Sequence, residues 1–183
     1  MTSSAYSKKK QPELVRQALL DEALRLAMSS GPEAVTIQAV AAGAGVTKGG
    51  LFHHFPSKQA LIEGMVAHVF AQLDLAIDRY LQTDSGRGCF TRAYVETILV
   101  DADFGPGSPM DVLNLSVVNY PIMGPAWDDW IARRMDRHNE TDNHLDLEIL
   151  RYAADGAWLS HLGTRPEGKF REIRDRLVAL SRE

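Results

Sequence analysis

The chain has 183 residues, 45% hydrophobic and 24% charged, with a formal net charge of -4; this is ordinary for a soluble globular protein and allows one large domain or two small ones. The single cysteine, Cys89, excludes an intrachain disulfide and fits a reducing, cytoplasmic setting. No apolar run approaches the roughly 18 residues of a membrane span, and no apolar stretch follows the N-terminal lysines, so neither a membrane segment nor a signal peptide is expected.

In chain order, the pattern predicts helices throughout. Residues 1–11, with Lys8, Lys9 and Lys10, are expected as a flexible basic tail. Leu20, Ala23, Leu24 and Ala27 recur at helical spacing in a first helix that starts at Pro12 and stops at Gly31 and Pro32. Thr36 opens a short second helix with Ile37, Val40 and Ala41 apolar, and Gly43 and Gly45 punctuate its end. Thr47 caps a very short third helix that ends before Pro56. Ser57 caps a long fourth helix, whose Ile62, Met65, Val66, Val69, Phe70, Leu73, Ile77 and Leu81 repeat every three or four residues. Asp84 to Gly88 break it.

Phe90, Tyr94 and Ile98 then mark a fifth helix. Ser108 and Pro109 start another near residues 109–119, and "GPAWDDWIARRMDR" reads as the next. Asn143 is a candidate cap for a helix running to about Leu162. Thr164 and Glu167 form a capping box before a last helix with Phe170, Ile173, Leu177 and Leu180 as its stripe. The fold expected is all-α: a three-helix helix-turn-helix domain over 12–57, joined by the long helix to a helical regulatory and dimerisation domain over 58–183.

Charge is uneven along this plan. Residues 1–60 carry seven Lys/Arg against four Asp/Glu, a balance of +3, and the remainder thirteen against twenty, a balance of -7. A basic end suits a polyanion; a solvated tail is the plainer alternative.

The segment "VTKGGLFHHFPSK" carries the most chemistry. A short helix, a turn with glycine and a second short helix make a helix-turn-helix, whose second helix enters the DNA major groove. Gly49 and Gly50 cost helix stability, about 1 kcal/mol each relative to alanine, and let another surface approach the backbone. Leu51 and Phe55, four apart, anchor the helix inward, while Phe52, His53 and His54 project outward. Adjacent helical histidines diverge by about 100°, so no metal site is expected there, and neither metal nor cofactor is expected elsewhere. Cys89 reads as a small buried hydrophobe or a redox switch. No catalytic Ser/His/Asp or Cys/His frame and no phosphate-binding glycine loop appears, so no catalytic residue is assigned.

"VTIQAVAAGAGVTKGGLFHHFPSKQAL", with "ALLDEALRLAMSSG" before it, resembles the DNA-binding segment of the tetracycline-repressor (TetR) family of bacterial transcription regulators. The likeness covers about residues 14–62. It implies that Thr36, Gln38, Thr47, Lys48, Gly49, Gly50, Phe52, His53 and Lys58 line double-stranded operator DNA. Phe52 departs from the family's usual tyrosine and has no hydroxyl for a phosphate. The resemblance implies a repressor released by a small-molecule effector; the alternative is a helical small-molecule-binding protein or enzyme with a degenerate helix-turn-helix.

A two-fold homodimer is expected through the last two helices, with Leu150, Ala153, Ala154 and Ala157 on one and Phe170, Ile173 and Leu177 on the other. An effector pocket is expected within residues 85–165. Its candidates are Tyr94, Phe104, Met110, Asn114, Tyr120, Met123, Trp127, Trp130, Trp158 and His161, a mostly apolar and aromatic set with a few polar groups. Aromatics at this spacing suit plain core equally. The acids Asp101, Asp103 and Asp155 would favour a cationic ligand.

Overall fold

A computed structural model of the chain describes residues 3–106, 108, 122–160 and 168–183, with side chains described from Pro12 onward. Every regular element among these is helical. The chain forms two compact units, Met1–Val69 and Phe70–Glu183, where the sequence suggested a boundary at residues 57 and 58.

In the first unit, α1 spans Ser3–Ser30. It begins well upstream of Pro12, so the residues expected as a flexible tail are helical from Ser3. Lysine, glutamine and alanine are good helix formers, and the interior proline forfeits one backbone hydrogen bond. Leu19, Leu20, Ala23, Leu24 and Ala27 form its buried stripe. Gly31, at φ 80°, ends it, and a 3-10 turn over Pro32–Ala34 leads into α2, Ile37–Gly43. The turn to α3, Lys48–His54, passes through Gly45 at φ 69°, a left-handed backbone that glycine adopts without a Cβ penalty. Leu51 is fully buried and Phe55 is 2% exposed, the inward anchors expected from their spacing.

The long helix α4, Lys58–Leu81, follows. By length and composition it is the one described helix that would cross a membrane, although half of its most apolar window is buried in the fold. Leu61, Ile62, Met65, Val66, Phe70, Leu73 and Ile77 are core residues, and this accounts for its apolar character. Within the first unit, a Cβ at Gly64 would lie 2.6 Å from Phe55 Cε1 and 3.3 Å from Leu20 Cδ2, so Gly64 allows the early turns of α4 to seat against the anchor of α3.

In the second unit, α5 (Cys89–Val100) is the central helix, buried along nearly its whole length. Around it come α6 (Met123–Arg137), α7 (Asn139–Asp142), α8 (Leu145–Leu159) and α9 (Lys169–Leu180). α8 and α9 pack on α5 and on each other. Arg134 of α6, 2% exposed, donates from Nε to Asp74 Oδ1 and from Nη1 to Asp78 Oδ1, both at 2.7 Å. Trp130 Nε1 donates to Asp74 at 2.8 Å. These bonds tie α6 to the later turns of α4.

The N-terminus of α5 is capped from far along the chain. Its own cap, Gly88, has no side chain. Asp142, fully buried, supplies the carboxylate instead: Oδ1 accepts from Thr91 N at 2.8 Å and Thr91 Oγ1 at 2.7 Å, and Oδ2 accepts from Phe90 N at 3.2 Å. Free backbone donors and the helix dipole both favour an anion there. Buried Arg151 completes the group, donating to Thr91 Oγ1 at 2.7 Å. Burial lowers the pKa of Arg151, opposed by the charge of Asp142.

Asn143 does not cap α8. Its side chain donates to Asn139 Oδ1 at 2.9 Å, and His144 takes the cap position without a side-chain bond. The sequence missed the one-turn α7, which is too short to show a period. The helix expected near 109–119 and the capping box of Thr164 and Glu167 lie outside the described residues.

Candidate functional site

Three N-caps build the exposed end of the first unit. Thr36 Oγ1 accepts from Ala39 N at 3.1 Å, Thr47 Oγ1 from Gly50 N at 3.0 Å, and Ser57 Oγ from Ala60 N at 3.0 Å. Each bond orders a first helical turn and leaves the hydroxyl hydrogen free to donate outward. Thr36, Gln38, Thr47, Lys48, Gly49, Phe52, His53 and Lys58 are all exposed, and Gly50 is half-buried.

Phe52 is 46% exposed, a large apolar ring left on a seven-residue helix. A Cβ at Gly49 would meet only Thr47 Oγ1, at 3.9 Å, and one at Gly50 nothing nearer than 3.4 Å. Neither glycine has positive φ. The fold therefore has room for a side chain at both, unlike Gly64.

The second unit contains a cleft of about 520 Å³ bordered by α5, α6 and α8. Tyr94 and Trp127, both expected as pocket residues, line it. So do Asp128, Glu148, Arg151, Tyr152 and Asp155, of which only Asp155 was suspected from sequence. Tyr94 donates its hydroxyl to Asp155 Oδ1. Burial raises the Asp155 carboxyl to about 6, against the opposing pull of the Tyr94 hydrogen bond and the Arg151 charge. Burial also pushes the Tyr94 phenol well above its ordinary range. The wall thus combines aromatic faces with an excess of carboxylates.

Other expected pocket residues sit elsewhere. Phe104, Met123 and Trp130 are buried, at 7%, 7% and 1% exposed, and do not line the cleft. They are core, the plainer reading of aromatics at helical spacing. Trp158 is half-buried and also off the cleft; its Nε1 is buried without a hydrogen-bond partner among the described residues. Met110, Asn114, Tyr120 and His161 lie outside the described residues. Of the suspected acids, Asp101 pairs with Arg79 at 3.2 Å, and Asp103 is exposed off the cleft.

The expected dimer stripe divides. Leu150, Ala154, Phe170 and Leu177 are buried within the single chain, at 7%, 0%, 3% and 7% exposed; they pack α8 and α9 inward and offer little surface to a partner. Ala153 is exposed, and Ala157 and Ile173 are half-buried. The outward apolar face of α8 is instead Leu145, Ile149, Tyr152 and Leu159, at 69%, 52%, 64% and 58% exposed. Their spacing of four, three and seven places them on one stripe.

Comparison with known proteins gives a consistent picture. Residues 19–65 match "Bacterial regulatory proteins, tetR family", and residues 88–182 match "Tetracyclin repressor-like, C-terminal domain". The nucleoid occlusion factor SlmA of Photobacterium profundum is 32% identical over 95 residues, 52% of this chain and 47% of that protein. The HTH-type transcriptional repressor KstR of Mycolicibacterium smegmatis is 39% identical over 64 residues, 35% of this chain and 31% of that protein. The chain thus spans about half or less of the length of these curated relatives. The multidrug binding protein EbrR, solved with malachite green, matches in fold at a TM-score of 0.68 and 19% identity, covering 90% of this chain and 96% of that one. A transcriptional regulator of Streptomyces coelicolor A3(2), SCO7518, matches at 0.70 and 16%, covering 92% and 99%.

Proposed function

This chain belongs to the TetR family of bacterial regulatory proteins, a family of non-enzymatic, DNA-binding transcription regulators, and on that premise we propose that it is a cytoplasmic, ligand-responsive repressor. It binds a palindromic operator as a homodimer, and a small molecule entering the second unit releases it. Repression follows the likeness to the transcriptional repressor KstR.

The observation that carries the DNA reading is the bare backbone at Gly49 beside exposed Lys48, with room in the fold for a side chain. Lys48 and Lys58, near the starts of α3 and α4, contact phosphate; Gly49 admits the sugar-phosphate chain or a base edge. Gly49→Ala therefore has opposite effects on fold and function. The fold gains up to about 1 kcal/mol, while operator affinity falls. Lys48→Ala and Lys58→Ala each weaken binding across sequences and reduce the salt slope by about 1. Fluorescence anisotropy on duplex DNA across a salt series checks all three. Unchanged affinity and slope in both lysine variants would contradict the interface, and salt-independent binding would favour the alternative of a degenerate helix-turn-helix.

The effector site is the cleft of Tyr94, Trp127 and Asp155. Its aromatic faces and surplus acids suit an aromatic cation, by stacking and by charge, and the EbrR complex with malachite green offers a probe. Asp155 is ionised above about 6 and neutral below. Dye affinity, read by quenching of Trp127, should therefore fall roughly tenfold between about pH 7 and about pH 5. Asp155→Asn removes that dependence.

The same shift acts in the opposite sense on the unliganded fold. A carboxyl raised on folding contributes stability below its ordinary pKa of 3.8, and loses it as pH rises through about 6. A dye affinity that stays flat across this range in the unmodified protein would remove Asp155 from the site.

A further inference from the structure

Cys89, His138 and Asp142 are remote in sequence and adjacent in the second unit. One ligand atom of each lies within 4.8 Å of the other two. Cys89 opens α5, His138 stands at the corner between α6 and α7, and Asp142 ends α7. Cys89, 3% exposed, has its Sγ 3.8 Å from Asp142 Oδ2. His138 Nε2 is buried without a hydrogen-bond partner among the described residues, an arrangement that costs about 1–3 kcal/mol unless something binds it. The imidazole stacks on Phe90, with ring centroids 5.2 Å apart and planes 10° apart, so its orientation is fixed.

We propose that Cys89, His138 and Asp142 bind one divalent transition-metal ion of the zinc type, with a fourth coordination position open to solvent. A sulfur, a nitrogen and an oxygen donor form the ligand set of such an ion and are unsuited to magnesium or calcium, which take oxygen alone. Asp142 Oδ1 accepts two hydrogen bonds, and Oδ2 accepts one from Phe90 N and a longer one, at 3.8 Å, from the Cys89 thiol. Loss of the thiol proton frees that second acceptor position on Oδ2 for a metal. The bonds from Thr91 and Phe90 are the outer shell that holds the carboxylate in place. Asp84, which pairs with Arg92 at 2.6 Å, and Asp136, Glu140 and Arg137 share the wall of a cleft of about 480 Å³ with Cys89 and His138. This cleft provides an entry path for a cation. Binding displaces the Cys89 thiol proton to solvent and forms the sulfur–metal bond.

This departs from the expectation of no metal. The test uses the full chain, freed of metal by a chelator and titrated with Co²⁺. One Co²⁺ binds per chain and produces a thiolate-to-cobalt charge-transfer band in the near ultraviolet. Zn²⁺ abolishes the band and raises the thermal midpoint; Mg²⁺ does neither. Cys89→Ser loses the band, and His138→Gln weakens Co²⁺ by roughly tenfold or more. Because the chain has no other cysteine, the titration of the unmodified protein is decisive even if a variant fails to fold. Absence of the band overturns the proposal, as does a near-ultraviolet band that survives in folded Cys89→Ser or is displaced equally by Mg²⁺.

Discussion

In the proposed dimer, Ile149→Glu is expected to give a monomer in sedimentation and to lower operator affinity by roughly 10²–10⁴-fold, the gain that linking two weak DNA contacts supplies. Ile149 sits mid-stripe among Leu145, Tyr152 and Leu159, all more than half exposed. A lone chain would leave this face against water. In a two-fold dimer the stripe meets its own copy, which removes apolar area from water at about 25 cal/mol per Å². A carboxylate buried at that centre has no partner and is strongly disfavoured. Ile149 is exposed in the single chain, so the variant folds normally by circular dichroism. A variant that remains dimeric at micromolar concentration would place the interface elsewhere.

Asp142→Ala destabilises the second unit by about 3–5 kcal/mol, the range for removing one partner of a buried charged network. Four donors lose their acceptor: Phe90 N, Thr91 N, the Thr91 hydroxyl and, more weakly, the Cys89 thiol. Arg151, buried behind Thr91, loses the nearby negative charge that offsets its desolvation. All three tryptophans, Trp127, Trp130 and Trp158, lie in this unit. Urea unfolding followed by tryptophan fluorescence, with chelator present, therefore reads it directly. Asp142→Asn keeps one acceptor oxygen and falls between the two. A loss under about 1 kcal/mol for the alanine variant would mean that water replaces the carboxylate.

The DNA-binding end was legible because its signals are local. Thr36, Thr47 and Ser57 announce three caps, Gly45 a left-handed turn, and Leu51 with Phe55 one inward face; each is a relation within four residues. In α8 the sequence did not separate a covered face from an exposed one, because the helix is apolar on two. Leu147, Leu150 and Ala154 make one stripe, Leu145, Ile149, Tyr152 and Leu159 the other, and periodicity does not say which is covered. Only the packing of α5 and α9 decides it. In the cleft, the aromatics Tyr94 and Trp127 stood out by type, whereas Arg151, Glu148 and Asp128 resemble any solvated charge on a helix. The Cys89, His138 and Asp142 cluster left no short motif, because 48 residues lie between its first two members.

The borrowed cap on α5 sets an order of events during synthesis. Phe90 and Thr91 are added to the chain more than 50 residues before Asp142. At about 5–20 residues per second, α5 spends seconds with its first-turn donors bonded only to water. Leu177, another piece of its cover, arrives later still. The first unit has no such dependence: every bond described within it closes inside the first 69 residues. A nascent chain arrested past that point should present a folded helix-turn-helix while the second unit is still unstructured.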